Sequence, residues 1–192
     1  MKIDRLRTTL TACTALLLAT ATGAEPSNPT DLARFAGEWR RSDRERNDSD
    51  RSASIKRSTE DMPFWARAFA RALIDSSTTP PERYTIRITP TGLSIADGDD
   101  EPTPAFVDTE PDNGEDARIM AQMADGTLRQ HWRHGEASYG TTFWAVNDAH
   151  ELVVAVVAYD ARLRGAGGEP HAIRYATSYS LDPDATSFGL SE

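Results

Sequence analysis

From Tyr84 to Tyr179 apolar side chains recur at every second position, and this spacing constrains the fold more than any other feature of the chain. A period of two belongs to half-buried strands, because successive side chains of an extended backbone point to opposite faces. Tyr84, Ile86 and Ile88 alternate with Thr85 and Arg87, and Pro90-Thr91-Gly92 then turns the chain so that Leu93 and Ile95 pair back. Ile119, Ala121 and Met123 stand against Leu128 and Trp132 across Asp125-Gly126, a dipeptide that suits a tight hairpin turn. Tyr139, Thr141, Phe143 and Ala145 lead through Asn147-Asp148 into the run Leu152 to Tyr159, which is apolar on both faces. Beyond Gly165 to Gly168, Ile173, Tyr175, Thr177 and Tyr179 alternate again.

With a first strand at Trp39, the pattern gives eight or nine strands in sequential hairpins. A sheet of that size removes its edges by closing on itself. The expected fold is mainly β: an antiparallel up-and-down barrel with an amphipathic helix inserted after the first strand. A flatter, half-open sheet wrapped round the helix is the alternative.

The insertion has two parts. Residues 41–57 mix charges of both signs with Ser and Asn and read as an exposed loop or a frayed helix. Ser58 and Asp61 then resemble a helix-opening cap, and a helix is predicted over 60–75. Trp65, Phe69 and Leu73 fall on one of its faces, and Arg67, Arg71 and Asp75 on another. The doubly apolar strand at 152–159 needs cover on its outer side, and the Trp65 stripe is expected to supply it. A lid or a partner-binding face is the other reading of that stripe.

Residues 1–24 carry Lys2, Arg5 and Arg7 ahead of an uncharged run centred on Ala15 to Ala19, and end in Thr22-Gly23-Ala24. That is the layout of a cleavable signal peptide, and its apolar run is too short to span a bilayer. Cys13 sits in a lipobox-like setting, but the Leu-rich core follows it rather than preceding it, which disfavours acylation. Cleavage near Ala24 would leave a periplasmic or secreted chain of 168 residues without its single cysteine, and would move the net charge from −9 to −11 by removing three basic residues and one acid. Residues 25–30 read as a linker, 31–181 as one barrel domain and 182–192 as a flexible tail.

Chemistry is thinly signalled. His131 and His134 fall on opposite faces of a strand, against a metal site. The nine carboxylates from Asp97 to Asp116 lack the glycine and distant glutamate of a calcium-binding loop, and read as a solvated acidic loop. No Gly-x-Ser-x-Gly turn presents a nucleophile, and no Gly-rich loop joins a strand to a helix. No cofactor or metal is implied, and the acidic balance opposes a nucleic-acid partner.

Gly37-x-Trp39 at the first strand resembles the lipocalin-like barrels. Together with Ser42-Asp43 and the late Tyr179-x-Leu181-Asp182, it is similar to uncharacterised bacterial exported proteins of that shape. The resemblance covers most of the chain beyond the signal and implies a barrel with Trp39 plugging one end. The expected function is then non-catalytic: binding a small apolar or amphipathic molecule inside the barrel. Trp39, Tyr84, Gln130, Trp132, Phe143 and Tyr175 are the candidate ligand-binding residues, with a barrel filled solid by side chains as the competing state. The alternatives are an envelope interaction module with a packed core and, further off, an enzyme of unrecognised type.

Overall fold

The computed structural model describes residues 32–108, 118–164 and 170–183. The proposed signal peptide, the linker and most of the tail therefore lie outside the described residues.

After a 3-10 turn at Ala33–Phe35, the elements are β1 (Gly37–Arg41), α1 (Arg44–Ser58), α2 (Phe64–Thr78), β2 (Arg83–Thr89), β3 (Gly92–Asp97), β4 (Thr103–Val107), β5 (Arg118–Gln122), β6 (Leu128–His134), β7 (Ser138–Val146), β8 (Glu151–Arg164) and β9 (Pro170–Leu181). The nine strands pair in chain order and β1 closes on β9, giving the expected barrel with helices after the first strand. One pairing departs from the up-and-down pattern: β5 runs parallel to β4, with Phe106 opposite Ile119. β4 itself arises within the stretch read as a solvated acidic loop. The hairpins at Gly92 and at Asp125-Gly126 form where the turn residues place them, and the Asp125 carboxylate accepts the Thr127 N–H at 2.9 Å.

Register decides which side chains enter the barrel. Leu93, Ile95, Ala105, Val107, Met120, Leu128, Trp144, Leu152, Val154 and Tyr179 build the interior with Trp39, Tyr84 and Ile86. In β7 it is therefore Trp144 that points inward and Phe143 that lies on the outer face, opposite Arg129 and Ala155. In β5 likewise Met120 enters and Ile119 stays half exposed. Both corrections have one cause: adjacent positions are all apolar there, so alternation alone leaves the inward parity unset.

One end of the barrel is filled by Leu32, Phe35 and Trp39, whose indole Nε1 donates to the Phe35 carbonyl at 2.8 Å. The glycine of Gly37-x-Trp39 is needed there, since at φ 145° a Cβ would come within 2.5 Å of the Leu181 side chain. Asp182, read as the first residue of the tail, is held by the barrel. It is buried, ion-paired with Arg40, and its N–H donates to the Glu38 carbonyl at 2.8 Å.

Both helices leave from the opposite end of β1 and pack on the inner face of the β8–β9 ribbon. There Ile55, Ala70 and Ile74 meet Ala158, Leu163 and Ile173. The stretch expected as a loop or frayed helix is thus a full helix, α1. It buries Asn47, Arg51, Ser54, Ile55 and Ser58, a largely polar face at helical spacing. Asp43, in the left-handed conformation at φ 46°, makes the sharp turn from β1 into it.

The second helix begins at Phe64 rather than 60, because Pro63 is its N-cap residue, and it runs on to Thr78. Its aromatic stripe does not cover the outer side of β8. Phe64, Trp65 and Phe69 are 83%, 74% and 75% exposed, whereas Ala70 and Ile74 take the burial. The arginines turn inward instead: Arg67 Nε donates to the Met62 carbonyl at 2.7 Å and Arg71 Nε to Thr59 Oγ1 at 2.9 Å. Thr59 is the C-cap of α1, and its hydroxyl donates in turn to the Ile55 and Lys56 carbonyls, each at 3.1 Å. With Ala70 and Ile74 in the shared apolar cluster and Arg71 on the C-cap of α1, the aromatic face is left outward.

Candidate functional site

The mouth beneath the helices is where the inward-facing polar side chains gather. Gln130, Thr142, Val156 and Tyr175 form one row across β6, β7, β8 and β9. The next row towards the helices is Trp132, Gly140, Ala158 and Ile173. The Trp132 indole lies over Gly140, where any Cβ would overlap the ring, and its Nε1 donates to Thr142 Oγ1 at 3.1 Å.

Across the barrel, Tyr84 stands opposite Asp97 in register, and Asp97 is ion-paired with Arg118 at 2.7 Å. The Arg118 guanidinium lies 5.9 Å from the centre of the Trp144 ring. Tyr84 meets Trp144 and Tyr179 edge to face, each with 4.9 Å between ring centres. Such contacts contribute about 0.5–1.5 kcal/mol each beyond their buried area. The Tyr179 hydroxyl donates to the Pro81 carbonyl at 3.1 Å.

Of the residues singled out in the sequence, Trp39 and Tyr84 are register partners. Gln130 and Tyr175 share a row and Trp132 lies one row away. Phe143 stands apart on the outer wall. The mouth also holds residues that periodicity did not reveal: Arg41 and Arg51, both with buried side chains. Arg41 pairs with Asp48, and Arg51 with Asp75 at 2.8 Å. Burial pushes the Tyr175 phenol up to about 12, although Arg51 and Arg41 pull the other way. Burial also raises Tyr84 and Tyr179; the Asp97 carboxylate adds to the shift at Tyr84.

Chemically, the arrangement is an aromatic core with polar side chains towards its helical end. Trp144 Nε1 and Thr177 Oγ1, one row deeper than Thr142 and Tyr175, are buried without a hydrogen-bond partner. Among the described residues no three His, Cys, Asp or Glu side chains gather as a metal-binding group. A hollow of about 220 Å³ lies on the outer wall instead, lined by Glu38, Arg83, Thr85, Arg87, Ser94 and Asp99 among others. The Arg83 guanidinium in it is already engaged by Asp99 and by the Gly98 carbonyl. Compared with family models, curated proteins and solved structures, the chain finds no match.

Proposed function

We propose that this chain is an exported, non-catalytic interaction module, in which the filled barrel is a rigid scaffold and the outward face of α2 is the docking element. The exposure of Phe64, Trp65 and Phe69 carries this reading. Large exposed apolar patches rimmed by polar residues mark interaction sites. Export rests on residues 1–24 as read from their sequence. The packed contacts among Tyr84, Trp144 and Tyr179 favour a scaffold over a carrier, because a ligand cavity of ordinary size takes about 300 Å³ or more.

The test is fractionation of cells carrying Trp65→Asp and Phe69→Asp together. Both positions are exposed, so the fold should survive, and the protein should move from the envelope-associated to the soluble fraction. An unchanged distribution would overturn the reading.

A small amphipathic molecule held at the mouth is the second reading. It is favoured by the unpartnered Trp144 Nε1 and Thr177 Oγ1, one row inside Thr142 and Tyr175. Native mass spectrometry of protein purified from its own envelope tests it. A retained small molecule supports binding, and the bare chain alone counts against it.

A further inference from the structure

Resting on the reading of α2 as the docking element, we propose that its occupant is the same face of a second copy, paired antiparallel about a two-fold axis. Phe64, Trp65, Ala68, Phe69, Ala72 and Leu73 are exposed together on one side of the helix, opposite the buried Ala70 and Ile74. No helix of the described residues is long and apolar enough to cross a membrane, so this ridge is met at the surface.

The order of large and small side chains makes the ridge complementary to itself. Residues seven apart fall on nearly the same line along an α-helix, since two turns take about 7.2 residues. Trp65 and Ala72 are such a pair, and their line runs along the middle of the exposed face. A two-fold axis midway between Ala68 and Phe69 reverses the helix so that each Trp65 lies on Ala72 of the second copy. The largest side chain of one ridge then meets a methyl group of the other. The two Phe69 rings come together on one side of the axis and the two Ala68 methyl groups on the other. Such an interface is isologous, with every contact made twice.

The accessible area suits a pair of this kind. An aromatic side chain carries about 150–250 Å². With Phe64, Trp65 and Phe69 83%, 74% and 75% exposed, the three rings offer roughly 350–580 Å² of accessible apolar surface. A stable interface takes about 800 Å² of accessible surface from each partner, rather more than half of it apolar. The rings therefore supply the apolar part, and the exposed Glu60, Asp61 and Ser76 lie at its ends as a polar rim.

Charge favours meeting here. The chain carries −9 overall, whereas residues 43–78 hold seven basic and seven acidic residues. Two copies therefore approach with least mutual repulsion through their helical parts. Asp75, the one acid within α2, is already ion-paired with Arg51. In the antiparallel pair Glu60 and Asp61 of the two copies fall at opposite ends, about 22 Å apart. That exceeds the screening length of about 8 Å at physiological salt.

Sedimentation of the purified chain across micromolar concentrations tests the pairing, and a monomer–dimer equilibrium is expected. Trp65→Asp with Phe69→Asp should leave a monomer. A pair meets the envelope at two points, so this variant also leaves the envelope fraction. Ala72→Trp adds apolar surface but occupies the place of Trp65 of the second copy, so it should weaken pairing about tenfold or more. Combining it with Trp65→Ala exchanges the two partners and should restore pairing to within a few-fold of the original. All three positions are exposed, so the fold should survive, with far-ultraviolet dichroism as the check.

A monomer at every concentration overturns the second copy. If the Trp65/Phe69 variant then still leaves the envelope fraction, the docking reading stands with another occupant, and flotation with phosphatidylglycerol vesicles would make that occupant a bilayer. If its distribution is unchanged, the docking reading falls as well. A dimer that the two Asp substitutions leave intact places the interface elsewhere and overturns the proposal. Tighter pairing in Ala72→Trp overturns it too, since a ridge that adheres by area alone gains from the added ring.

Discussion

The Ser54 hydroxyl, on a helix with little apolar surface, accepts the Arg174 N–H of β9 at 2.8 Å. β1 pairs with β9 from Leu181 to Tyr179, and the Ser42 N–H reaches the Ser178 carbonyl at 2.9 Å. Past that point α1 takes over the same edge of β9. A polar helix serves there because a strand edge presents N–H and C=O groups that need partners.

Ser54→Ala removes the acceptor of a partly buried N–H, at a cost of about 1 kcal/mol. A urea midpoint lowered by that amount is expected, with faster amide exchange at Arg174 than at strand positions paired on both sides. Ser54→Thr keeps the hydroxyl and should restore the Arg174 protection. Unchanged exchange at Arg174 in Ser54→Ala would show that the bond is dispensable.

Arg51 joins the two helices. Its Nη1 meets the Asp75 carboxylate at 2.8 Å, the Asp75 carbonyl at 3.0 Å and Thr78 Oγ1 at 3.3 Å, while its side chain is buried. Arg51→Met fills similar volume without donors, and the partners it abandons are half exposed and can turn to water. The expected loss is therefore about 1–3 kcal/mol, below that of a fully buried pair. It should be concentrated in α2, so limited proteolysis ought to cut within 59–79 before the barrel is touched. Cleavage that starts in the barrel hairpins would contradict this order.

Trp132 is held at the mouth by the empty space over Gly140. Gly140→Ala puts a methyl group against the indole and the Val157 carbonyl, so the ring must move and its bond to Thr142 Oγ1 is lost. A fall of about 1–3 kcal/mol is expected for overpacking of this kind, together with a shift in tryptophan emission. Trp132→Leu in the same background should recover part of the stability, since the side chain that clashes is gone. No recovery would place the strain at the Val157 backbone instead.

The fold was more legible in the sequence than the site, for reasons that particular residues show. Tyr84-x-Ile86 and Leu93-x-Ile95 alternate with polar neighbours, so both strands and their inward face could be read directly. Phe143-Trp144-Ala145-Val146 has no polar alternate, and only the contact of Trp144 with Tyr84 sets its parity. The α1 helix was hidden because its buried positions Asn47, Arg51, Ser54 and Ser58 carry a helical period in polar side chains, which a hydrophobic pattern does not register. In α2 the period was plain but its meaning was inverted. Arg71 meets the C-cap of α1, an element the sequence had not revealed, and Ala70 and Ile74 take the burial, so the aromatic face goes to solvent.

The three buried phenols make stability fall at high pH. Tyr84, Tyr175 and Tyr179 all hold their protons more tightly when folded, chiefly because burial disfavours the phenolate. Below the ordinary phenol value of about 10 both folded and unfolded chains keep these protons, and the contribution to stability is complete. Above it the unfolded chain releases them first, so stability drops as pH rises towards the folded values. Each phenol contributes a slope of about 1.4 kcal/mol per pH unit. For Tyr175 that window runs from 10 to about 12. Urea midpoints collected between pH 8 and 11.5 should be level in these groups' contribution up to pH 10 and then decline. Tyr175→Phe should remove one phenol's share of the decline. Absorbance at 295 nm gives the independent check: of the five tyrosines, three should ionise only as the far-ultraviolet dichroism is lost. Five phenolates appearing near pH 10 with the dichroism intact would show that water reaches the core.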